Sequence, residues 1–227
     1  MAKGIFITGT GTDIGKTYVT ALLVKKLKEA GVKTAYYKAA VSGNVRGEHG
    51  LIPGDAAYVK EISGIAQPLG EMVPYIYEQA VSPHLAALQE GSPIELPVVT
   101  QGYEELEKKY EYITMEGSGG ILCPLRCDDK EELWLEDVVK ALQLPCIVIA
   151  DAGLGTINAT VLTIEYLKQN SIRVKGVILN HFHTGDRMEE DNRSMIEKRG
   201  GVPVISCVPD GAAGIEISAE ELMALYE

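Results

Sequence analysis

A segment rich in glycine and threonine, GTGTDIGKT at positions 9–17, directly follows the apolar run IFI. The backbone N–H groups of residues 13–17, together with the positive end of the following helix, can surround a chain of phosphates. Lys16 would then contact the β- and γ-phosphates, and the hydroxyl of Thr17 would be available to Mg²⁺. The segment therefore predicts a phosphate-binding loop.

The spacing of this loop departs from the strict pattern. A glycine is expected six positions before Lys16, but Thr10 stands there and Gly9 comes one position earlier. One added residue alters the curvature of such a loop and leaves its donor groups in place. A capped strand-to-helix turn that binds nothing is the alternative, and these residues alone leave it open.

Polar residues also end three other predicted strands. Lys38 stands at the end of KTAYYKA, Glu116 ends EYITME and Asn180 ends VKGVILN. Ligands of open α/β sheets bind at the carboxyl ends of the strands, so these side chains should surround one crevice. Lys38 suggests a substrate with anionic oxygens, and Glu116 and Asp55 could join Thr17 around Mg²⁺. The amide of Asn180 suits the edge of adenine. Each residue also has a purely structural alternative: an exposed lysine, a solvated strand end, a helix N-cap or a turn asparagine.

Short β-branched segments alternate with helical patterns along the chain. The strands are apolar throughout, as expected when helices cover both faces of a sheet. We predict one α/β domain over residues 1–227, with a doubly wound, predominantly parallel sheet flanked by helices. The predicted helices span 16–31, 55–64, 82–91, 96–110, 133–143, 157–169, 189–199 and 218–227. In the first, Val19, Leu22, Leu23, Leu27 and Ala30 would form the apolar face. Ser82 is the predicted N-cap of the third helix, with Pro83 at its first position. Residues 39–54 are expected to form an irregular, mobile active-site loop.

Composition excludes several classes of protein. The net charge of -11, with no cluster of Lys and Arg, argues against a nucleic-acid partner. No run of 18 apolar residues predicts a membrane span, and the start MAKGIFITGTG predicts no signal peptide. Cys123, Cys127, Cys146 and Cys207 lack metal-site spacing, so we expect free thiols, buried at Cys146 and Cys207, and a cytoplasmic protein.

Seven segments, in order between residue 5 and about residue 211, carry a resemblance to a known family. They are FITGTGTDIGKT, YYKAAVSG, GDAA, SPHLAA, MEGSGG, LGTINAT and GVILN. Together they resemble the dethiobiotin synthetases, ATP-dependent enzymes of biotin biosynthesis, in which the longer phosphate loop also occurs. The resemblance implies a P-loop NTPase-like fold, with ATP and Mg²⁺ as cofactors.

The reaction implied by the resemblance is a ring closure. 7,8-Diaminononanoate takes up CO₂ as a carbamate, and the carbamate oxygen attacks the γ-phosphate of ATP. The second amine then closes the ureido ring of dethiobiotin with loss of phosphate. The family works as a homodimer, in which the carboxylate of the substrate lies at the N-terminus of a helix from the partner subunit.

The resemblance also implies roles for individual residues. Lys16 and Lys38 would be catalytic. Thr17, Asp55 and Glu116 would hold Mg²⁺. The residues expected to bind the nucleotide are Asp13, Ile14, Gly15, Lys16, Thr17, Tyr18, Asp55, Glu116, Gly117, Ser118, Gly119, Asn180, Pro209, Asp210 and Gly211. Those expected to bind the substrate are Thr12, Ser42, Gly155, Thr156, Ile157 and Asn158.

Other classes remain as alternatives. The first is a partitioning-type P-loop ATPase switch, but such switches carry a lysine early in the loop, where this chain has Gly11, five residues before Lys16. The second, an amidotransferase-type ligase, needs a glutaminase domain for which 227 residues leave no room. The third, a binding module without turnover, is disfavoured by the presence of Lys16, Lys38 and Glu116.

Overall fold

The computed structural model describes residues 2–48 and 50–227. Its strands are β1 (Lys3–Gly9), β2 (Thr34–Lys38), β3 (Ala40–Val41), β4 (Val45–Gly47), β5 (Gly50–Ile52), β6 (Tyr75–Ile76), β7 (Tyr112–Glu116), β8 (Pro124–Cys127), β9 (Glu132–Trp134), β10 (Cys146–Asp151), β11 (Val174–Asn180) and β12 (Val204–Val208). Its helices are α1 (Lys16–Glu29), α2 (Gly54–Ser63), α3 (Pro83–Gln89), α4 (Leu96–Glu107), α5 (Leu135–Ala141), α6 (Thr156–Gln169), α7 (Arg187–Gly200) and α8 (Ala219–Met223), with a 3-10 turn at Leu69–Glu71.

Six strands form one parallel sheet in the order β12-β11-β10-β1-β7-β2. Side chains alternate between its two faces along each strand. Ile5 and Ile7 of β1 pack in a cluster with residues of α1 and α8, whereas Phe6 packs with residues of α4, α5, α6 and α7. Helices therefore cover both faces, and the predicted doubly wound α/β fold is confirmed.

Strand β2 forms one edge of this sheet, and a side chain completes its hydrogen bonding. Gln67 Oε1 accepts from the backbone N–H of Tyr36 at 2.8 Å, and Gln67 Nε2 donates to the carbonyl of Tyr36 at 3.0 Å. The amide thus pairs with β2 as a neighbouring strand would, which protects an edge that could otherwise pair with another chain.

Residues 39–54 are not an irregular loop, so this prediction was wrong. The segment contains β3, which pairs with β6, and the hairpin of β4 and β5; His49 lies outside the described residues. The side chain of Asn44 adds to the backbone pairing, because its Nδ2 donates to the carbonyls of Val41 and Tyr77 and its Oδ1 accepts from the N–H of Gly54. Strands of two or three residues are too short to leave a periodic pattern in the sequence.

Two predicted helices begin or end elsewhere because their ends join other strands. Helix α5 begins at Leu135 rather than at 133, since Glu132–Trp134 pairs with β8. Helix α8 ends at Met223 rather than at 227, since the backbone of Glu227 exchanges hydrogen bonds with Gly4 at the start of β1. The backbone bonds offered by those strands outweigh the local helical preference.

Three smaller expectations also need correction. Pro83 does occupy the first turn of α3 after Ser82, but the Ser82 side chain makes no capping hydrogen bond to the described residues. Ala30 is exposed just beyond the last residue of α1 and does not belong to its buried face. Cys146 is buried as expected, whereas Cys207 is only half-buried because β12 is the other edge of the sheet.

Candidate active site

The predicted phosphate loop joins β1 to α1 and contains two residues with left-handed backbone conformations. They are Asp13, with φ 58°, and Gly15, with φ 82°. A Cβ atom on Gly15 would lie 2.2 Å from Nδ2 of Asn180, so only glycine fits there. Alternating right- and left-handed residues turn successive N–H groups toward one concavity, which is the geometry of an anion site.

Lys16 lies folded along this loop. Its side chain is buried, and its ammonium donates to the carbonyl of Gly11 at 2.7 Å. Burial and, after it, the charge of Lys38 lower the pKa of Lys16 below its ordinary value. An anion entering the loop would offset both causes of the lowered pKa. Its negative charge would favour the charged form of the buried ammonium and would reduce the repulsion between Lys16 and Lys38.

Lys38 is held between two carboxylates, and the sheet register explains one of them. Lys38 pairs with Glu116 across β2 and β7, and its Nζ lies 2.8 Å from Glu116 Oε1. The second carboxylate is that of Asp55, in the first turn of α2, with Oδ2 at 2.6 Å. Burial opposes the charge of Lys38, but the carboxylates of Glu116 and Asp55 raise its pKa well above the ordinary value. Lys38 is therefore a buried, protonated ammonium.

Glu116 is completely buried and makes two further contacts. The hydroxyl of Thr17 donates to Oε1 at 2.8 Å, and the hydroxyl of Tyr36 donates to Oε2 at 3.1 Å. Burial, followed by the charge of Glu116, raises the pKa of Tyr36 well above its ordinary value, so this hydroxyl keeps its proton. A buried carboxylate is costly unless it is paired, and here every contact is a donor.

These side chains surround one cavity of about 360 Å³. The predicted residues that line it are Thr12, Asp13, Gly15, Lys16, Thr17, Lys38, Ser42, Asp55, Glu116, Ser118 and Gly119. The predicted residues outside this lining are Ile14, Tyr18, Gly117, Asn180, Gly155–Asn158 and Pro209–Gly211. The structure thus brings the predicted phosphate, metal and lysine groups together at one cavity. Asn180 contacts the loop at Ile14 without lining the cavity, and Gly155–Asn158 do not line it either.

The donor set at this cavity fits Mg²⁺. The carboxylates of Asp55 and Glu116 both accept from the ammonium of Lys38, and the hydroxyl of Thr17 donates to Glu116. Mg²⁺ prefers oxygen ligands and takes one or two carboxylates beside phosphates and water. Over residues 2–48 and 50–227, no group of three or more His, Cys, Asp or Glu side chains could hold a metal by itself. The arrangement therefore suits a nucleotide-bound cation rather than a metal held by protein alone.

Some predicted residues use their polar groups in hydrogen bonds within the protein. The N–H of Gly117 donates to the carbonyl of Ile7, and the hydroxyl of Ser118 donates to that of Ala40. The hydroxyl of Ser42 donates to the carbonyl of Val81 at 2.6 Å. Of these groups, the oxygens of Ser42 and Ser118 still have acceptor capacity that a ligand amine could use.

The predicted base-binding residue Asn180 belongs to a hydrogen-bonded chain that the sequence did not reveal. Its Nδ2 donates to the carbonyl of Ile14 at 3.0 Å and lies 3.1 Å from Nε2 of His181. Nδ1 of His181 lies 2.7 Å from Asp151 Oδ2. Although partial burial opposes its charge, the hydrogen bond from His181 holds the pKa of Asp151 below its ordinary value. Oδ1 of Asn180 is buried and has no partner among the described residues, so it is the free acceptor in this series of hydrogen-bonded side chains.

His181 gave only a weak signal in the sequence. It follows a strand-end asparagine, but Asp151 ends a different strand 30 positions earlier. Strands β10 and β11 are neighbours, and Asp151 lies opposite Asn180 in their register. His181, which follows Asn180, therefore meets Asp151 at the carboxyl end of the sheet. The exposed segment Pro209–Gly211 follows β12, the neighbour of β11, and the N–H of Phe182 donates to the carbonyl of Val208 just before it. The hydroxyl of Tyr18 donates to the carbonyl of Ala212 just after it.

The predicted tail-binding segment Gly155–Asn158 forms the start of α6 and does not line the cavity around Lys38. Gly155 has φ 93° and precedes the first helical residue. Leu154, beside it, is 91% exposed. A second cavity of about 430 Å³ lies beside the later turns of α6, lined in part by Leu122 and Leu162 and, where β1 ends, by Gly9 and Thr10.

Comparison with known proteins identifies the class and then the family. Residues 3–213 match a family model described as an AAA domain. The ParA family ATPase from Chlorobium tepidum has a similar structure, with a TM-score of 0.55, 14% identity, and coverage of 92% of this chain and 84% of that one. MinD from Aquifex aeolicus gives a TM-score of 0.54, 15% identity, and coverage of 92% and 83%. The fold and the site thus define a P-loop nucleotide-binding α/β protein.

Two curated relatives carry the name ATP-dependent dethiobiotin synthetase BioD. The relative from Brachyspira hyodysenteriae is 47% identical over 227 residues, covering all of both chains. One from Clostridium botulinum (strain Loch Maree) is also 47% identical and covers 100% of this chain and 99% of that protein. The chain belongs to the dethiobiotin synthetase family.

Within the described ranges, none of the helices is long and apolar enough to cross a membrane.

Proposed function

We propose that this chain is an ATP- and Mg²⁺-dependent ligase that forms dethiobiotin from 7,8-diaminononanoate and CO₂. The observation that carries the proposal is the convergence of two buried ammonium groups, two carboxylates and a threonine hydroxyl on one cavity. Such a cavity can hold two anions close together, which a reaction between a carbamate and ATP requires. Family membership over the full chain supports the particular substrates.

Each ammonium has hydrogen-bonding capacity left for ligands. An ammonium has three donors, and Lys38 uses two of them on Asp55 and Glu116. The third is available to a carbamate or phosphoryl oxygen. Lys16 uses one donor on Gly11 and can turn the others toward phosphate oxygens.

The proposed reaction then follows from these positions. One substrate amine adds CO₂ and releases a proton, giving a carbamate. A carbamate oxygen attacks the γ-phosphorus, ADP leaves, and Lys16 and Lys38 offset the charge that gathers on the phosphoryl oxygens. The second amine attacks the carbamoyl carbon, the ring closes and phosphate leaves. Thr17, Asp55 and Glu116 would hold Mg²⁺, which when bound neutralises charge on the phosphates.

The proposal extends to recognition of the nucleotide. The phosphates would lie along Asp13–Tyr18 and beside Glu116–Gly119. The free acceptor of Asn180, with the segment Pro209–Gly211, would contact adenine. An exocyclic amino group is the donor that this buried oxygen lacks.

We also propose a cytoplasmic homodimer whose substrate site is shared. Leu122 and Leu162 are exposed and line the same cavity beside α6, and exposed Leu154 lies just before α6; a second copy would cover these side chains. Thr12 and Ser42 would contact the diamine, and Gly155–Asn158 of the other subunit would bind its carboxylate at a helix N-terminus. The four free thiols favour a reducing compartment.

A phosphate-release assay tests the proposed reaction. The purified chain is mixed with ATP, Mg²⁺ and bicarbonate, with and without the diamine, and both phosphate and dethiobiotin are measured. We expect equal amounts of both products only when the diamine is present. Release of phosphate without the diamine would instead support an ATPase switch, and binding of ATP without turnover would support a module that only binds.

A further inference from the structure

The two oxygens of the Glu116 carboxylate face different partners. Oε1 lies toward the cavity, where it accepts from Lys38 at 2.8 Å and from Thr17 at 2.8 Å. Oε2 accepts from the hydroxyl of Tyr36 at 3.1 Å. Only Oε1 therefore accepts hydrogen bonds from side chains that line the cavity.

The structure also fixes Tyr36 firmly. Its ring is completely buried among side chains of α1 and α2, including Ala21, Val24 and Val59. The amide of Gln67 binds both the N–H and the carbonyl of the Tyr36 backbone. A hydroxyl in such a position cannot move away from Glu116 without disturbing the core, since interiors are close-packed.

We propose that Tyr36 is a positioning residue for the metal site, which it acts on through Glu116. By occupying Oε2, its hydroxyl leaves Glu116 a single oxygen to offer to a cation. One-oxygen carboxylate binding suits Mg²⁺, which demands octahedral geometry, whereas Ca²⁺ accepts more ligands and often takes both oxygens of a carboxylate. Tyr36 thus makes the site selective for Mg²⁺ over Ca²⁺. This inference rests on the proposed role of Glu116 as a metal ligand.

The neighbouring residue supplies a matched control. Tyr37 is also buried in β2, but its side chain lies on the other face of the sheet, packs edge-on against Tyr103 and donates to the carbonyl of Val99 at 2.8 Å. Tyr37→Phe therefore removes one buried hydroxyl and one hydrogen bond from the same strand, as Tyr36→Phe does, without touching Glu116.

The experiment measures the affinities of Mg²⁺ and Ca²⁺ for the full chain bound to a non-hydrolysable ATP analogue. Each cation displaces Mn²⁺, which is followed by its electron paramagnetic resonance signal. We expect Tyr36→Phe to lower the preference for Mg²⁺ over Ca²⁺ by about tenfold, as loss of a partner to a metal ligand commonly does. Tyr37→Phe should keep the wild-type preference. An equal preference in all three proteins would overturn the inference.

Glu116→Gln separates this inference from the proposed function. If Glu116→Gln leaves Mn²⁺ binding unchanged, Glu116 is not a ligand and the proposed metal site itself fails. If Glu116→Gln weakens Mn²⁺ binding but Tyr36→Phe leaves the preference unchanged, only the role of Tyr36 fails.

A measurement on the unaltered protein covers the case in which Tyr36→Phe does not fold. Infrared difference spectra report whether a carboxylate binds a cation through one oxygen or two. Wild type minus Glu116→Gln should show one-oxygen binding with Mg²⁺. A two-oxygen signature with Mg²⁺ would contradict the inference, because Oε2 would then be free of Tyr36.

Discussion

The crevice at the ends of β1, β2 and β7 differs in kind from the surface around the start of α6. In the crevice, Lys38 and Glu116 are almost completely buried, at 4% and 0% exposure, and satisfy one another within a single chain. Around α6, Leu154 and Leu162 are 91% and 62% exposed. The charged groups of the first region pair within one chain, whereas the second region exposes apolar side chains.

The difference shows where each part of the proposed site is assembled. An unpaired buried charge is very costly, and in the crevice Lys38 is paired with Asp55 and Glu116 of the same chain. Exposed apolar side chains need no counter-charge, and contact with a second copy of the chain would bury them. Phosphate and metal binding should therefore belong to each chain alone, whereas binding of the substrate's tail should depend on assembly.

The largest expected effect comes from the crevice. Lys38→Met should slow the chemical step about 100- to 1000-fold, because it removes a charge that stabilises the transferring phosphoryl group. ATP affinity should stay nearly unchanged, since the loop and Lys16 remain. Single-turnover phosphate release and equilibrium dialysis with ATP measure the two quantities. Lys108→Met, at an exposed ion pair with Glu105, is the control. A parallel collapse of ATP binding would mean that Lys38 serves the nucleotide rather than the reaction.

The α6 surface should give the next largest effect. Leu162→Glu places a charge on the apolar surface and should yield a monomer in sedimentation velocity. The KM for the diamine should rise by about tenfold or more, as expected when hydrogen bonds to the charged carboxylate of the substrate are lost. ATP affinity should be retained. Leu88→Glu changes a leucine that is also exposed but lies on α3. A monomer with an unchanged KM would remove the shared site from the proposal.

Substitution of Asn180 tests whether the base of the nucleotide is recognised next to the crevice. Asn180→Ala should reduce the preference for ATP over GTP by about tenfold, equivalent to one hydrogen bond of about 1.4 kcal/mol. Competition binding with the two nucleotides measures it. Asn192→Ala is the matched control, because Asn192 is also buried and donates to the carbonyls of Ala152 and Gly153. Unchanged discrimination in Asn180→Ala would exclude this residue from base recognition.

Asp151 gives the smallest expected effect. Its folded pKa is lowered, so its stabilisation is present above the unfolded pKa of about 3.9 and is lost as pH falls through the folded pKa. Because the carboxylate is half exposed, we expect Asp151→Asn to lower the free energy of unfolding at pH 7 by only a few tenths of a kcal/mol. Urea denaturation at pH 7 and pH 3 measures the difference, which should narrow at the lower pH. A difference that grows on acidification would contradict this sign.

Much of the crevice could be predicted from the sequence because its residues end strands of a parallel sheet. Lys38 and Glu116 each follow a clear apolar strand, and parallel register brings them side by side. The hairpin of β8 and β9 and the short strands near Asn44 could not be predicted, since their segments are too short to show a period. The roles of the predicted site residues in binding, and the extent of a single domain over residues 1–227, stay predictions.

By itself the sequence determined the glycine-rich loop after β1, the order along the chain of the eight helices and of the six strands of the main sheet, and the polar residues at the strand ends. These features depend on local spacing and on the two periods of regular structure. Only the tertiary structure decided that Lys38 lies between carboxylates 17 and 78 positions away, that Tyr36 occupies one oxygen of Glu116, and that Asp151 and His181 support Asn180. Such contacts join residues far apart in the chain, and their distances are set by how strands and helices pack.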